Sequence, residues 1–197
     1  MPCVLVTNLA DQMDFPNLSS VATDDIAAAK CAVDALFDAG HTKIGILGGD
    51  IEKSYTSHQR FIGCQQSFLE HDTVFVPEKS YEKARFSYDS AYRGMKRLIA
   101  RCPDITAVFA MSDVMAIGAI RAIHECGYRI PDDISVISMD DIEIAQYVSP
   151  MLTTMHIPIE EMGKMTAKIL IDRIRNGHTL PLKMSLPYYM AKRESCR

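Results

Sequence analysis

Five short runs, nearly free of charge and rich in β-branched residues, punctuate the chain: "CVLVT" (3–7), "KIGILGG" (43–49), "TVFVP" (73–77), "AVFAM" (107–111) and "SVISM" (135–139). Runs of this length and composition suit strands buried on both faces. The stretches between them read as helices over 24–39, 58–70, 88–101 and 113–126. In the first of these, Ile26, Ala29, Val33, Leu36 and Phe37 recur at helical spacing, and Gly40 follows as a C-cap signal. Gly127 plays the same part after the fourth. Such regular alternation predicts an α/β fold, a doubly wound parallel sheet with helices on both faces and right-handed crossovers. After Asp141 the plan changes. "YVSPMLTTMHIP" (147–158) reads as an extended crossing segment, 159–176 as a helix ended by Gly177, and "KMSLPYYMAKRES" (183–195) as a last extended run. A buried-type strand at 3–7 needs neighbours, so the chain reads as the middle of a larger protein.

Open parallel sheets bind ligands outside the carboxyl ends of their strands. The residues that follow each run are therefore the candidates. Asp113 reads as an N-cap or first-turn acid on one side and as a ligand or acid/base group on the other; Asp140 and Asp141 read as an Asx-turn or as ligand contacts. Adjacent strand residues point to opposite faces, so Asp140 and Asp141 make a poor acid/base pair, whereas Asp113 with Asp140 remains one. No Ser lies in a GxSxG elbow, and "LGGD" matches no phosphate loop. Arg60 is either a solvated helix residue or a bidentate clamp on hydroxyls, a carboxylate or a phosphate. Phe86, between Arg85 and Ser87, is either a loop anchor or an apolar wall for a ligand ring.

Composition removes several classes. A formal net charge of −4 gives no electrostatic footprint for nucleic acid. The six cysteines are far apart, in no metal-ligand or disulfide-framework spacing, and read as reduced thiols. The six histidines lack ligand spacing as well, so no metal and no cofactor is expected. With no signal-like N-terminus and no segment of membrane-spanning length, the expectation is a soluble cytoplasmic protein without membrane partners.

Taken together, "VATDDIAAAKCAVDALFDAGHTKIGILGG", "RFIGCQQSF", "AVFAMSDVMAIGAIRAIHECGYRIPDDISVISMDD", "SPMLTTMHIPIEEMG" and the terminal "RES" resemble the effector-binding region of the LacI/GalR family of bacterial transcription regulators. The resemblance implies a periplasmic-binding-protein-like fold of type I, two α/β lobes with a sugar or other small metabolite between them. It implies that residues 1–23 are a remnant of the N-terminal lobe and 24–150 a nearly complete C-terminal lobe. Residues 151–180 would cross back to the N-terminal lobe, and 181–197 would form a final strand on the C-terminal lobe.

The family's effector-binding arginine falls on Arg60, with Cys64 where a phenylalanine is usual, and the polar residues ahead of it fall on Ser54, Tyr55 and Thr56. The loop aromatic falls on Phe86, the polar residue before the helix-opening Asp113 on Ser112, and the hydroxyl-binding aspartate on Asp140. Asp140 follows "SM" in place of "GY", which removes a tyrosine from the pocket edge; Asp25 stands for a common asparagine and Ala28 for a common glycine. By the same resemblance the chain is a homodimer whose operator DNA is contacted only through a helix-turn-helix absent from this sequence. Two other readings stand beside this one: a solute-binding protein of a sugar transporter, and a sugar hydrolase using Asp113 and Asp140.

Overall fold

The structure, a computed structural model, describes residues 2–8, 18–177 and 180–197. Of the expected segments 1–23 and 151–180, residues 1, 9–17 and 178–179 lie outside these. The chain divides into two compact units. One comprises Met1–Asp24 and Ile157–Tyr188, the other Asp25–His156 and Tyr189–Arg197.

In the first unit, strands β1 (Val4–Val6), β2 (Ser19–Ala22) and β8 (Lys183–Ser185) form a parallel sheet in the order β1-β2-β8. Helix α6 (Ile159–Asn176) packs on β1 and β2, burying Met162 and Ile169. Its end is set by Gly177, which takes φ +65°, a backbone conformation that glycine adopts without a Cβ penalty. Two expectations fail here. The run at 3–7, expected to be buried on both faces, pairs with β2 among the described residues and leaves Val6 41% exposed. β2 itself was not anticipated. It is fully buried although it begins with two serines, because the Ser19 hydroxyl accepts from both Arg173 and the Leu182 amide.

The second unit holds a six-stranded sheet in the order β4-β3-β5-β6-β7-β9, with β3 at Ile44–Gly48, β4 at Tyr81–Lys83, β5 at Ala107–Ala110, β6 at Ser135–Asp140, β7 at Thr153–His156 and β9 at Tyr189–Ala191. All neighbours run parallel except β7 and β9. Helices α1 (Asp25–Asp38) and α2 (Tyr55–Glu70) pack on each other, as do α4 (Tyr88–Arg101) and α5 (Asp113–Glu125). Strand residues alternate between the faces. Leu47, Val108, Ala110 and Val136 join a core with Leu98 of α4 and Met115 and Ile123 of α5. The intervening Ile46, Phe109 and Ile137 are equally buried and face the other way, where α1 contacts β5, β6 and β7. The expected doubly wound α/β sheet is therefore present in this unit.

The strand expected at 73–77 is not formed. Pro77 lacks an N–H and has its φ preset, which suits the first turn of a helix; a short helix α3 (Pro77–Ser80) forms, and the chain pairs with β3 only afterwards, at β4. The extended runs near the end are also partitioned differently from expectation. Thr153–His156 stays in the six-stranded sheet, and the run at 183–195 splits, Lys183–Ser185 joining β2 and Tyr189–Ala191 joining β7. Residues 181–188 thus belong to the first unit, not to a strand of the larger one.

Close helix packing rests on glycine at two crossings, Gly118 of α5 against the Tyr88 carbonyl oxygen of α4 and Gly63 of α2 against α1. A Cβ on Gly63 of α2 would collide with the Ile26 carbonyl oxygen and sit 2.9 Å from the Lys30 nitrogen, both backbone atoms of α1. Gly63→Ala is therefore expected to lose about 2 kcal/mol, even though alanine is the better helix former by about 1 kcal/mol. Urea unfolding measures this; an unchanged or raised midpoint would mean that the two helices stand further apart.

Candidate functional site

The carboxyl ends of β3, β5 and β6 deliver Gly48–Asp50, Met111–Asp113 and Asp140–Asp141 to one edge of the large sheet. Helix α2 starts beside them. Its N-cap is Ser54, whose hydroxyl accepts from the Ser57 amide at 3.2 Å. Tyr55 and Thr56 are the first two helical residues and are half-buried.

Arg60, one turn further, is buried and not a solvated surface residue. Its Nε donates to Asp25 Oδ1 at 2.7 Å, Nη1 donates to the Met111 carbonyl, and Nη2 lies 3.6 Å from Asp140 Oδ1. The guanidinium thus joins the start of α1, the end of β5 and the end of β6. Asp25, where the resemblance expected an asparagine, supplies a full charge to that arrangement.

Asp140 ends β6 at φ +113°, and Asp141 follows at φ +58°. Burial pushes the Asp140 carboxyl up to about 7; Arg60 pulls it down, and Asp113 and Asp25 add to the upward push. An acceptor of this kind, beside a fixed guanidinium at a strand edge, is suited to ligand hydroxyls.

Asp113 has a different role. It is fully buried, accepts from the Ser138 hydroxyl, from Thr154 Oγ1 at 2.6 Å and from the Ile142 amide at 2.8 Å. Burial raises its carboxyl above the usual range, against the pull of the Ser138 and Thr154 hydroxyls and the Ile142 amide. With both oxygens engaged by internal donors, Asp113 is scaffold for β6 and β7 and not a partner for Asp140 in acid/base chemistry. Ser112, before it, caps α5 by accepting from the Met115 amide at 3.3 Å.

Phe86 sits at φ +47° and is 38% exposed, with its ring against Gly49. A Cβ on Gly49 would strike both the Phe86 ring and the Ser57 hydroxyl, so only glycine lets these three approach. The Gly49 carbonyl in turn accepts from the Tyr81 hydroxyl at 2.6 Å, and Asp50 pairs with Lys83 at 2.9 Å. Arg60, Asp140 and Asp25 are thus gathered in one cluster, and Phe86, Gly49 and Ser57 in another. Ser57 and Arg60 share α2 at a spacing of one turn. Sequence reasoning missed Asp25, Gly49 and Ser57; only the departure at Asp25 gave a signal. Among the described residues, no group of three or more His, Cys, Asp or Glu is placed to hold a metal ion.

Comparison with known proteins agrees with this fold. Residues 33–196 match the family model for the periplasmic binding protein-like domain. The transcriptional regulator CelR of Thermobifida fusca is 34% identical over 182 residues, which cover 90% of this chain and 52% of the regulator; the chain spans about half the length of the curated relatives it matches. Among solved structures, a LacI-family regulator of Enterococcus faecium with bound ribose superposes with a TM-score of 0.87 at 29% identity, over 99% of this chain and 70% of that one. A sugar-binding LacI-family regulator of Escherichia coli complexed with phosphate gives 0.84 at 31%, over 98% and 68%. These relatives are transcriptional regulators. The chain belongs to the periplasmic binding protein-like family and, within it, to the effector-binding regions of LacI-type transcriptional regulators.

Proposed function

We propose that this chain is the part of a LacI-type regulator that senses a small metabolite, a sugar or a close relative of one, at the carboxyl edge of its large sheet. The observation that carries the reading is the Arg60–Asp140 pair, an internally fixed guanidinium beside a largely buried carboxyl acceptor. In this role Arg60 donates to ligand hydroxyls and Asp140 accepts from them. Phe86 packs the apolar face of the ring, while Ser54, Tyr55, Thr56, Ser112 and Asp113 shape and support the edge. The ribose held by the Enterococcus relative supports a sugar as the ligand class. The regulators among the relatives support this reading over that of a transporter component.

Binding acts by favouring one of two conformations of the regulator, so that effector affinity and operator affinity are linked. The operator is bound by a helix-turn-helix preceding this region, in a cytoplasmic homodimer. No helix among the described residues is long and apolar enough to cross a membrane.

Calorimetric titration of the full-length regulator with D-ribose and a series of other mono- and disaccharides tests the reading. One class binds saturably, and Phe86→Ala weakens it about tenfold, the worth of an aromatic contact on a ring. Absence of heat with every sugar, or turnover of any of them, would overturn it.

A further inference from the structure

Asp140 and Asp141 are consecutive non-glycine residues at positive φ, +113° and +58°. Each such residue is strained and persists only where its surroundings hold it. Two sets of contacts hold this turn. On one side, Asp113 accepts from the Ile142 amide. On the other, the Asp141 carboxylate is gripped by two side chains distant in sequence. Arg193 Nη2 donates to Oδ1 at 2.6 Å, and His156 Nδ1 lies 2.9 Å from Oδ2.

These two grips are themselves braced. Arg193 Nη1 donates to the Leu152 carbonyl at 2.8 Å, and the Arg193 amide donates to Thr153 Oγ1. The His156 ring stacks on Tyr189 with centroids 4.6 Å apart, and the backbones of His156 and Tyr189 are paired between β7 and β9. His156 is the last residue of the large unit before the chain leaves it, and Tyr189 is the first after the chain returns.

We propose that Arg193 and His156 are positioning residues for effector binding, acting through Asp141 to fix the turn that presents the Asp140 carboxylate. The proposal rests on the reading of Asp140 as the effector's acceptor. Neither residue touches the effector. Without their grip the turn relaxes towards ordinary backbone angles, and the Asp140 carboxyl swings from its buried position towards water.

Carbon-13 labelling of the aspartate carboxyls follows the titration of Asp140 directly and needs no effector. In wild type the charged groups that face Asp140 are Arg60 from α2, Asp113 from α5 and Asp25 from α1. In Arg193→Met the midpoint is expected to fall from about 7 towards the ordinary carboxylate range, because burial is the main cause of its elevation. The sign is informative: removing a nearby positive charge without moving Asp140 would raise the midpoint instead. Arg193→Lys, which keeps the charge and one donor, returns it most of the way. His156→Phe keeps the stack on Tyr189, loses only the nitrogen, and shifts the midpoint in the same direction by less.

Variants that melt cooperatively with the Asp140 midpoint unmoved or raised would overturn the proposal, as would a lower melting temperature alone. If Arg193→Met does not fold, His156→Phe decides by the same criterion. Failure of every sugar to bind, with the titrations behaving as stated, counts against the effector reading and not against the grip on Asp141.

Discussion

Asp113→Ala is expected to lower the stability of this chain by about 3–5 kcal/mol. The carboxylate is fully buried and accepts from three donors, the Ser138 and Thr154 hydroxyls and the Ile142 amide. Each buried donor left without a partner costs about 1–3 kcal/mol, and the emptied volume adds a cavity cost. These donors come from β6, β7 and the turn between them, so their loss loosens the part of the sheet from which Asp140 projects. Asp113→Asn retains one carbonyl acceptor and the volume, and should cost less than half as much. Denaturant unfolding of both variants against wild type measures the difference. A loss below about 1 kcal/mol for the alanine variant would mean that Asp113 is solvated and open to ligand, the role first considered for it from sequence.

Asp140→Asn should do the opposite to stability and remove function. The folded carboxyl titrates at about 7 against an ordinary value of 3.8. Between those limits the folded chain keeps a proton that the unfolded chain has released, so stability falls as pH rises through the window and the full penalty is present above pH 7. An elevation of this size corresponds to at most about 4 kcal/mol. The side chain is 21% exposed and lies beside Arg60, so a gain of about 2 kcal/mol at pH 8 is expected for the neutral variant. The advantage should shrink towards pH 5 and vanish below pH 4. Sugar affinity should drop about 10- to 100-fold at pH 8, the worth of a charge-assisted hydrogen bond. Melting curves at pH 5 and 8, with a titration at pH 8, check both halves. A variant less stable than wild type at pH 8, or a gap that ignores pH, would show that Asp140 is not held in a costly charged state. A group that costs stability and supplies binding is the expected mark of a ligand site.

Legibility in the sequence followed from the range of the forces involved. Helices at Tyr88–Arg101 and Ile159–Asn176 were legible to the residue, because helical period and end signals act within a few positions. The run at 73–77 misled, since its β-branched composition argues for a strand while Pro77 starts a helix. β2 escaped notice because Ser19 and Ser20 look solvated, and what pays for burying Ser19 lies more than 150 residues away at Arg173 and Leu182.

At the site, Arg60 and Asp140 were reachable from the rule about strand ends together with the family resemblance. The contacts that fix them were not. Arg60 and Asp25 are separated by 35 positions, Asp141 and Arg193 by 52. Asp113 shows the converse: its place in the first turn of α5 was visible in the sequence, but its partners Ser138, Thr154 and Ile142, 25 to 41 positions away, were not, nor was the capping role of Ser112.

The return of the chain to the large unit has a consequence for its synthesis. Tyr189–Ala191 closes the free edge of β7, and the Ser195 hydroxyl bridges Val136 and Thr153 while the Ser195 carbonyl accepts from the Val136 amide. These residues leave the ribosome only after all of Ile157–Tyr188 has been made. At about 5–20 residues per second, a nascent sheet waits seconds with one edge unpaired, and an open edge is where neighbouring polypeptides on a crowded polysome add on. The segment made after Ile157–Tyr188 therefore decides whether the sheet closes on its own strand or on another chain's.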